Sequence, residues 1–367
     1  MKIGVPKEIK DQEFRVSMIP AGVRTLTGHG HTVLIQRGAG TGSGISDDEY
    51  IAAGGVIVNS AEELFRLSEM IVKVKEPVHN EYSLLRNGQV LFTFLHLAAD
   101  RTLTEAIIKS GIIAIAYETV QTDNGSLPLL IPMSEIAGRV AAIAGAYHLQ
   151  RSQGGSGILI SGIPGVLPGK VTILGAGTVG QNAARIAVGL GASVVMLNRN
   201  FQNLRYIDDI HDGRIMTLSL NEHNIEEAVL SSDIVIGAVL IPGSKAPFLI
   251  SKDLVGRMRK GSVIVDVSID QGGCTETSRP TTHSDPVYNV EGVVHYCVAN
   301  MPGAFPRTST IALAGVTLPY IIKLANLGWR RAVKEDPSLV KGVNIAEGRV
   351  THAGVAKAFG LRHEPLS

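Results

Sequence analysis

The stretch VTILGAGTVG, residues 171–180, decides the fold. Residues 171–174 form a short, β-branched apolar run that reads as a buried strand. Gly175, Gly177 and Gly180 follow in a GxGxxG arrangement, separated by Ala176, Thr178 and Val179. A helix is expected over 181–190 and a second strand over 194–197. Strand, glycine loop, helix and strand together form the setting in which this pattern binds a dinucleotide. The first glycine permits the tight turn. The second removes a side chain where pyrophosphate approaches, and the third lets the helix pack closely on the strand. The start of the helix offers unpaired N–H groups to the anion.

About twenty residues on, such loops usually meet a carboxylate that accepts from the adenosine ribose and repels a 2′-phosphate. This chain has Asn198-Arg199-Asn200 there. Asn198 can bond a ribose hydroxyl but lacks the repelling charge. NAD is the expected cofactor, and Asn198 leaves NADP open.

Composition bounds the rest. The 367 residues carry 34 Lys+Arg against 33 Asp+Glu, a net charge of +1. That gives no long-range field for nucleic acid or an anionic membrane, and neither is expected as a partner. With 45% hydrophobic and 18% charged residues, the chain is too apolar for disorder. No apolar stretch is expected to reach the roughly 20 residues that cross a bilayer. The N-terminus lacks the apolar core of a signal peptide, so a cytoplasmic location is expected. Cys274 and Cys297 read as buried small hydrophobes. The 41 glycines suit tight turns between buried parallel strands.

Strand-like and helix-like segments alternate on both sides of the glycine loop, which points to βαβ units. Before it, strands are expected at 3–5, 32–36, 56–59, 70–75, 90–95 and 112–117. The helices between them are expected at 20–28, 47–53, 61–68 (with Ser60 as N-cap) and 101–110. An Ala-rich helix is expected at 134–150. After the loop, strands are expected at 215–218, 234–238, 263–267 and 293–298, then an apolar helix at 310–326. The tail beyond about residue 307 shows no strand series of its own. The expected fold is therefore α/β, with two doubly wound parallel-sheet domains. A Rossmann dinucleotide domain (129–306) is inserted into a flavodoxin-like substrate domain (1–128 and 307–367).

Ligands of open parallel sheets sit at the carboxyl ends of the strands. Lys75 closes the expected strand 70–75, His96 follows 90–95, and Asp270 lies just beyond 263–267. Arg15 follows the first strand after a polar loop. Arg and Lys together can hold a small carboxylate. A histidine titrating near neutrality can move a proton during hydride transfer. An aspartate can assist a second proton step. Lys73 and Lys75 could instead both be strand-edge surface charges. His29 and His31 have a spacing that would suit a metal, but no Cys or carboxylate cluster supports it, and no metal site is expected.

With their surroundings, these residues resemble the alanine dehydrogenase family. The match includes GVPKEIKDQEFRV at 4–16, VKVKEP at 72–77, LFTFLHLAA at 91–99 and AIAYETV at 114–120. It continues with GAVLIPGSKAP at 237–247, SVIVDVSIDQGGC at 262–274 and HYCVANMPGAFPRTST at 295–310. The resemblance implies reversible, NAD-dependent oxidative deamination of L-alanine to pyruvate and ammonium, by a homohexamer. It implies substrate binding by Arg15 and Lys75, with His96 and Asp270 as the acid/base residues. Cofactor contacts carry over to Ser134, the glycine loop, Asn198, Val239, Val267, Ser268, Ile269, Asp270, Arg279, Val298, Ala299, Asn300 and Met301. Asn198, Asn203 and Leu220 stand where the family usually has Asp, Lys and Ser, all on the adenosine side. A metal site of some members pairs a glutamate like Glu118 with a histidine, whose place Leu327 takes here. A nucleotide-binding component of a transhydrogenase and a non-catalytic dinucleotide sensor are the alternatives.

Overall fold

The computed structural model describes residues 1–239 and 246–366. Part of the GAVLIPGSKAP run thus lies outside the described residues. The chain divides into two compact units. The first joins Met1–Met133 to Phe305–Ser367, and the second, Ser134–Ala304, interrupts it.

The first unit begins with strands β1 (Lys2–Val5), β2 (Thr32–Gln36), β3 (Val56–Val58), β4 (Met70–Val72), β5 (Val90–Thr93) and β6 (Ile113–Ala116). The second holds β7 (Lys170–Leu174), β8 (Ser193–Asn198), β9 (Ile215–Ser219), β10 (Ile234–Gly237), β11 (Val263–Asp266), β12 (Val287–Val290) and β13 (Val293–Tyr296). The first unit resumes with β14 (Val343–Ala346) and β15 (Arg349–Val350).

The sheet of the first unit has the order β15-β14-β6-β5-β4-β1-β2-β3, and that of the second β12-β13-β11-β10-β7-β8-β9. Strands β1 to β6 pair in parallel. So do β7 to β11 and β13. Both sheets end in antiparallel edges, β14 and β15 in one and β12 in the other. In each unit the chain lays down three strands in one direction, then crosses back beside the first. The first unit thus places one more strand, β3, before crossing back than the expected flavodoxin-like order of 2-1-3-4-5. The reversal points are the pairs β1/β4 and β7/β10, where such sheets open a ligand crevice.

Central strands such as β5 and β6 are buried along their whole length, as helices on both faces require. In the first unit, Leu64 and Phe65 of helix Ala61–Leu67 and Leu103 and Ile107 of helix Arg101–Ser110 share a core with Leu34, Ile71 and Leu91. In the second, Ile225 and Val229 of helix Glu222–Leu230 pack with Leu174, Val195, Val235 and Ile264.

Four expectations need correction. The strand expected at 70–75 stops at Val72. The Lys73 N–H still donates to Phe92 O at 3.1 Å, but those of Val74 and Lys75 turn to a side chain, Glu8 Oε1, at 2.7 and 3.2 Å. Lys73 is not a surface charge. It is fully buried, with its ammonium 3.1 Å from Glu8 and 2.8 Å from Glu81. The tail does contain strands, since the buried run Val343–Ala346 adds antiparallel to β6. Finally, helix Pro306–Leu327 is long and apolar enough to span a bilayer by length and composition. Its Leu313, Thr317, Ile321 and Leu324 are buried in the first unit. His29 and His31 both bond Asn326 of this helix, at 3.3 and 2.8 Å.

Ser60 caps helix Ala61–Leu67, its hydroxyl accepting from the Glu63 N–H at 3.2 Å. Ser60→Ala should lower unfolding stability by about 0.5–2 kcal/mol, read from urea denaturation. An unchanged midpoint would show that the cap contributes nothing.

Candidate functional site

In the second unit the glycine loop leaves the carboxyl end of β7 at the reversal point. The Gly175 N–H donates to Leu197 O at 2.8 Å, and the Ala238 N–H donates to Leu174 O at 2.8 Å. The loop is thereby tied to the strand on each side. Each glycine answers a different demand. Gly175 has φ +113°, and a Cβ there would lie 2.5 Å from Ala238 O. A Cβ on Gly180 would lie 1.9 Å from Gly175 O, so no larger residue fits. A Cβ on Gly177 would meet nothing within 4 Å, so the loop faces open space at that point. Helix Thr178–Gly189 starts there with no side chain capping it. Its first N–H groups lack intrahelical acceptors and point to an anion. A tight turn, an open approach and a close helix contact are what a dinucleotide pyrophosphate requires, and the residues fit it.

Around the loop, β8 ends in Asn198, whose Oδ1 accepts the Ala176 N–H at 3.3 Å. Beyond β10, the Val239 N–H donates to Ser268 Oγ at 3.1 Å, and the Ser268 hydroxyl donates to Val239 O at 2.8 Å. Ser268 belongs to the turn Val267–Gln271, which also holds Ile269 and the exposed Asp270. Asp266 holds this segment in shape. Its carboxylate accepts from the N–H groups of Ser268 (3.0 Å), Cys274 (2.8 Å) and Thr275 (3.3 Å) and from the Ser278 hydroxyl (2.6 Å). Burial pushes its pKa up, against the pull of these donors. No sequence signal marked Asp266 out beyond its place at a strand end.

Arg279 stacks its guanidinium 4.1 Å above the Tyr288 ring, and its N–H donates to Tyr288 Oη at 2.7 Å. The segment after β13 bonds back to Thr281, with the Ala299 N–H donating to Thr281 O at 3.1 Å. Asn300 takes a left-handed φ of 69°, and its carbonyl accepts from His283 Nε2 at 3.0 Å. Met301 is buried, and Ser134 lies half-buried on helix Ile131–His148.

The first unit brings Arg15, Lys75 and His96 to the carboxyl ends of β1, β4 and β5, which are consecutive in the sheet. Arg15 is buried, and its Nε donates to Glu13 Oε1 at 2.6 Å while Nη2 pairs with Oε2. Glu13 therefore fixes the plane of the guanidinium. Lys75 is half-buried beside Glu76. Burial alone would raise the Glu76 pKa, but the Lys75 and Lys10 ammoniums, with a smaller effect of His96, hold it below the usual range. His96 is exposed, with φ 49° and ψ 34° in the left-handed region. A non-glycine residue is held there only when its surroundings enforce it. Glu118 does so, accepting the His96 N–H at 2.7 Å and the Leu95 N–H at 3.2 Å. Among the described residues, no group of three or more His, Cys, Asp or Glu is placed to hold a metal ion.

Two α/β units, one built around an open glycine loop and one carrying Arg, Lys and His at adjacent strand ends, define a dinucleotide-dependent oxidoreductase class. The chain belongs to the alanine dehydrogenase/PNT family. The N-terminal domain model of that family matches residues 4–137 and the C-terminal domain model residues 141–353. The chain is 53% identical to an alanine dehydrogenase of Mycolicibacterium smegmatis over 361 residues, 98% of this chain and 97% of that protein. It is 52% identical to one of Halomonas elongata over 363 residues, 99% of this chain and 98% of that protein. A solved L-alanine dehydrogenase superposes with a TM-score of 0.95 at 53% identity, covering 98% of this chain and 99% of the other. A transhydrogenase from Sinorhizobium meliloti shares the fold at 24% identity, with a TM-score of 0.81, covering 96% and 99%.

His295, fully buried on β13, steadies the 277–279 segment. Its Nδ1 lies 3.0 Å from Val293 O, which can only accept, so Nδ1 carries the proton and Nε2 accepts from the Thr277 hydroxyl at 2.8 Å. Burial lowers its pKa from 6.5. Below about pH 6.5 the unfolded chain binds a proton that the folded one refuses, so this contribution is complete above that pH and shrinks on acidification. The Tm should fall between about pH 7.5 and about pH 5.5, and fall less in His295→Gln. Equal falls in both proteins would remove His295 as the source.

Proposed function

We propose that the chain catalyses the reversible, NAD-dependent oxidative deamination of L-alanine to pyruvate and ammonium. The observation that carries this reading is the set Arg15, Lys75 and His96 at three adjacent strand ends, each held by a neighbouring carboxylate or backbone contact. Full-length relatives named alanine dehydrogenase support it. Arg15, with its plane set by Glu13, and the Lys75 ammonium bind the substrate carboxylate. They fix the Cα–H bond in one direction, and such orientation removes much of the entropic barrier. The nicotinamide ring, when bound, accepts the hydride. His96 is the general base and acid at the substrate nitrogen and its attacking water, and Asp270 serves as the second acid/base residue. The glycine loop, Ser134, Val239, Ser268, Arg279 and residues 298–301 hold the cofactor.

The near-zero net charge supports small-molecule partners rather than nucleic acid or an anionic membrane, and the proposed location is cytoplasmic. A homohexamer accords with the apolar residues Leu159, Ile163, Val166 and Leu167, all more than half exposed in the second unit. Such a patch marks a surface to be covered.

The test is the rise in NADH absorbance on adding L-alanine and NAD, with wild type and His96→Ala. Wild type should turn over, and His96→Ala should lose about 10²–10⁴-fold in rate while still binding NADH. Near-normal deamination by the variant would remove His96 from the mechanism. NADH binding without turnover on any amino acid would favour a sensor.

A further inference from the structure

We propose that the adenosine end of the dinucleotide site accepts a 2′-phosphate, so that the chain binds NADP(H) about as well as NAD(H), with Asn198 and Arg199 as the deciding residues. This goes beyond the NAD-dependent activity proposed above and rests on the glycine loop being the dinucleotide site.

Rossmann sites that select NAD do so with a carboxylate at the end of the second strand, which bonds the ribose and repels a 2′-phosphate. Here that position is Asn198, at the end of β8. Its amide is oriented by bonds at both ends. Oδ1 accepts the Ala176 N–H at 3.3 Å, and Nδ2 donates to Asn200 O at 3.1 Å. The backbone carbonyl of Asn198 accepts the Leu220 N–H at 3.1 Å, tying it to the exit of β9. The second bond requires a donor, so this pocket edge is built around a neutral amide. A carboxylate would set an oxygen against Asn200 O.

The surrounding charges point the same way. Residues 198–203 contain one cation, Arg199, and no acid, and residues 219–221 carry no charge. Arg199 is exposed and makes no ion pair among the described residues. Glu222, in the first turn of the next helix, is exposed and does not pair with it. Helix Phe201–His211 also begins at this edge; the neutral Asn200 side chain caps its Gln202 N–H at 2.8 Å, and no acidic residue in its first turn offsets its positive end. The repelling group is absent, an unpaired guanidinium stands next to its place, and a helix start adds to the positive potential. An arginine in this setting is what accommodates the 2′-phosphate in NADP-binding members of the fold.

The experiment is a fluorescence titration of the full chain with NADH and with NADPH, for wild type, Asn198→Asp and Arg199→Ala. Wild-type dissociation constants should agree within about tenfold. Asn198→Asp should weaken NADPH more than about tenfold relative to NADH, by restoring the repulsion. Arg199→Ala leaves the Asn198 bonds intact and should weaken NADPH selectively, with a smaller salt dependence than wild type. NADPH binding more than about tenfold weaker than NADH in wild type would overturn the proposal. So would an NADPH/NADH ratio unmoved by both variants. If neither coenzyme bound, the glycine loop reading would fall with it, a result distinct from NADH binding alone.

Discussion

A parallel sheet delivers its strand ends to one edge, and there the backbone N–H groups lose their ladder partners and must find others. In this chain, side-chain oxygens supply many of them. Glu8, after β1, takes the N–H groups of Val74 and Lys75 after β4. Glu118, after β6, takes those of Leu95 and His96 after β5. Asn198 at the end of β8 takes Ala176 after β7, and Ser268 after β11 takes Val239 after β10. Every one of these clamps joins two strands that are neighbours in a sheet. Lys75 and His96 stand on the clamped backbone, and Asp270 lies two residues beyond Ser268.

The acidic clamps are costly, since burying a carboxylate disfavours its charge. Burial is the largest influence on Glu8 and on Asp266, and it raises both pKa values. Glu8 is offset by Lys73, itself shared with Glu81, and Asp266 by four donors. Buried ion pairs of this kind add little net stability over an apolar core. What they supply here is position. The left-handed backbone of His96 and the plane of the Arg15 guanidinium each follow from an adjacent glutamate. The same carboxylates thus serve the fold and the geometry of the site.

Much of this was legible in the sequence wherever local pattern and tertiary role coincide. Helices Pro20–Gly28 and Arg101–Ser110 and strand Thr32–Gln36 have the bounds expected of them. The glycine loop was legible because Gly175 and Gly180 answer backbone demands that no other residue meets, and Gly177 keeps the approach to the loop open. Less legible were helices such as Phe201–His211, where only Leu204 and Ile207 are buried and the apolar stripe is too narrow to stand out. The tail strand β14 is four residues long and is defined by its pairing with β6, which no local pattern contains. Lys73 and Lys75 look alike in VKVKEP. Only the fold sends one inward to Glu8 and Glu81 and leaves the other at the crevice. Glu8 and Glu13 were missed as functional residues for the same reason: an acid in a polar loop reads as solvated until its partners are known. Asp266 was missed because its donors come from the loop after the strand it ends.

The clamp at Asn198 differs from those at Glu8 and Glu118 in one respect that matters. Holding the Ala176 N–H needs an acceptor oxygen, which an amide provides as well as a carboxylate does. Excluding a 2′-phosphate needs a negative charge, which an amide lacks. In a carboxylate the two tasks are fused, and in Asn198 they are separated. The bond to the glycine loop can therefore persist, and the pyrophosphate end keep its shape, while the charge at the ribose is gone. For two acids of the first unit no such separation is possible. Lys73 needs the charge of Glu8 as well as its oxygens, and Arg15 is held by both oxygens of Glu13. The geometry thus leaves cofactor choice open to change by single residues, while Lys73 and Arg15 are tied to their glutamates by charge.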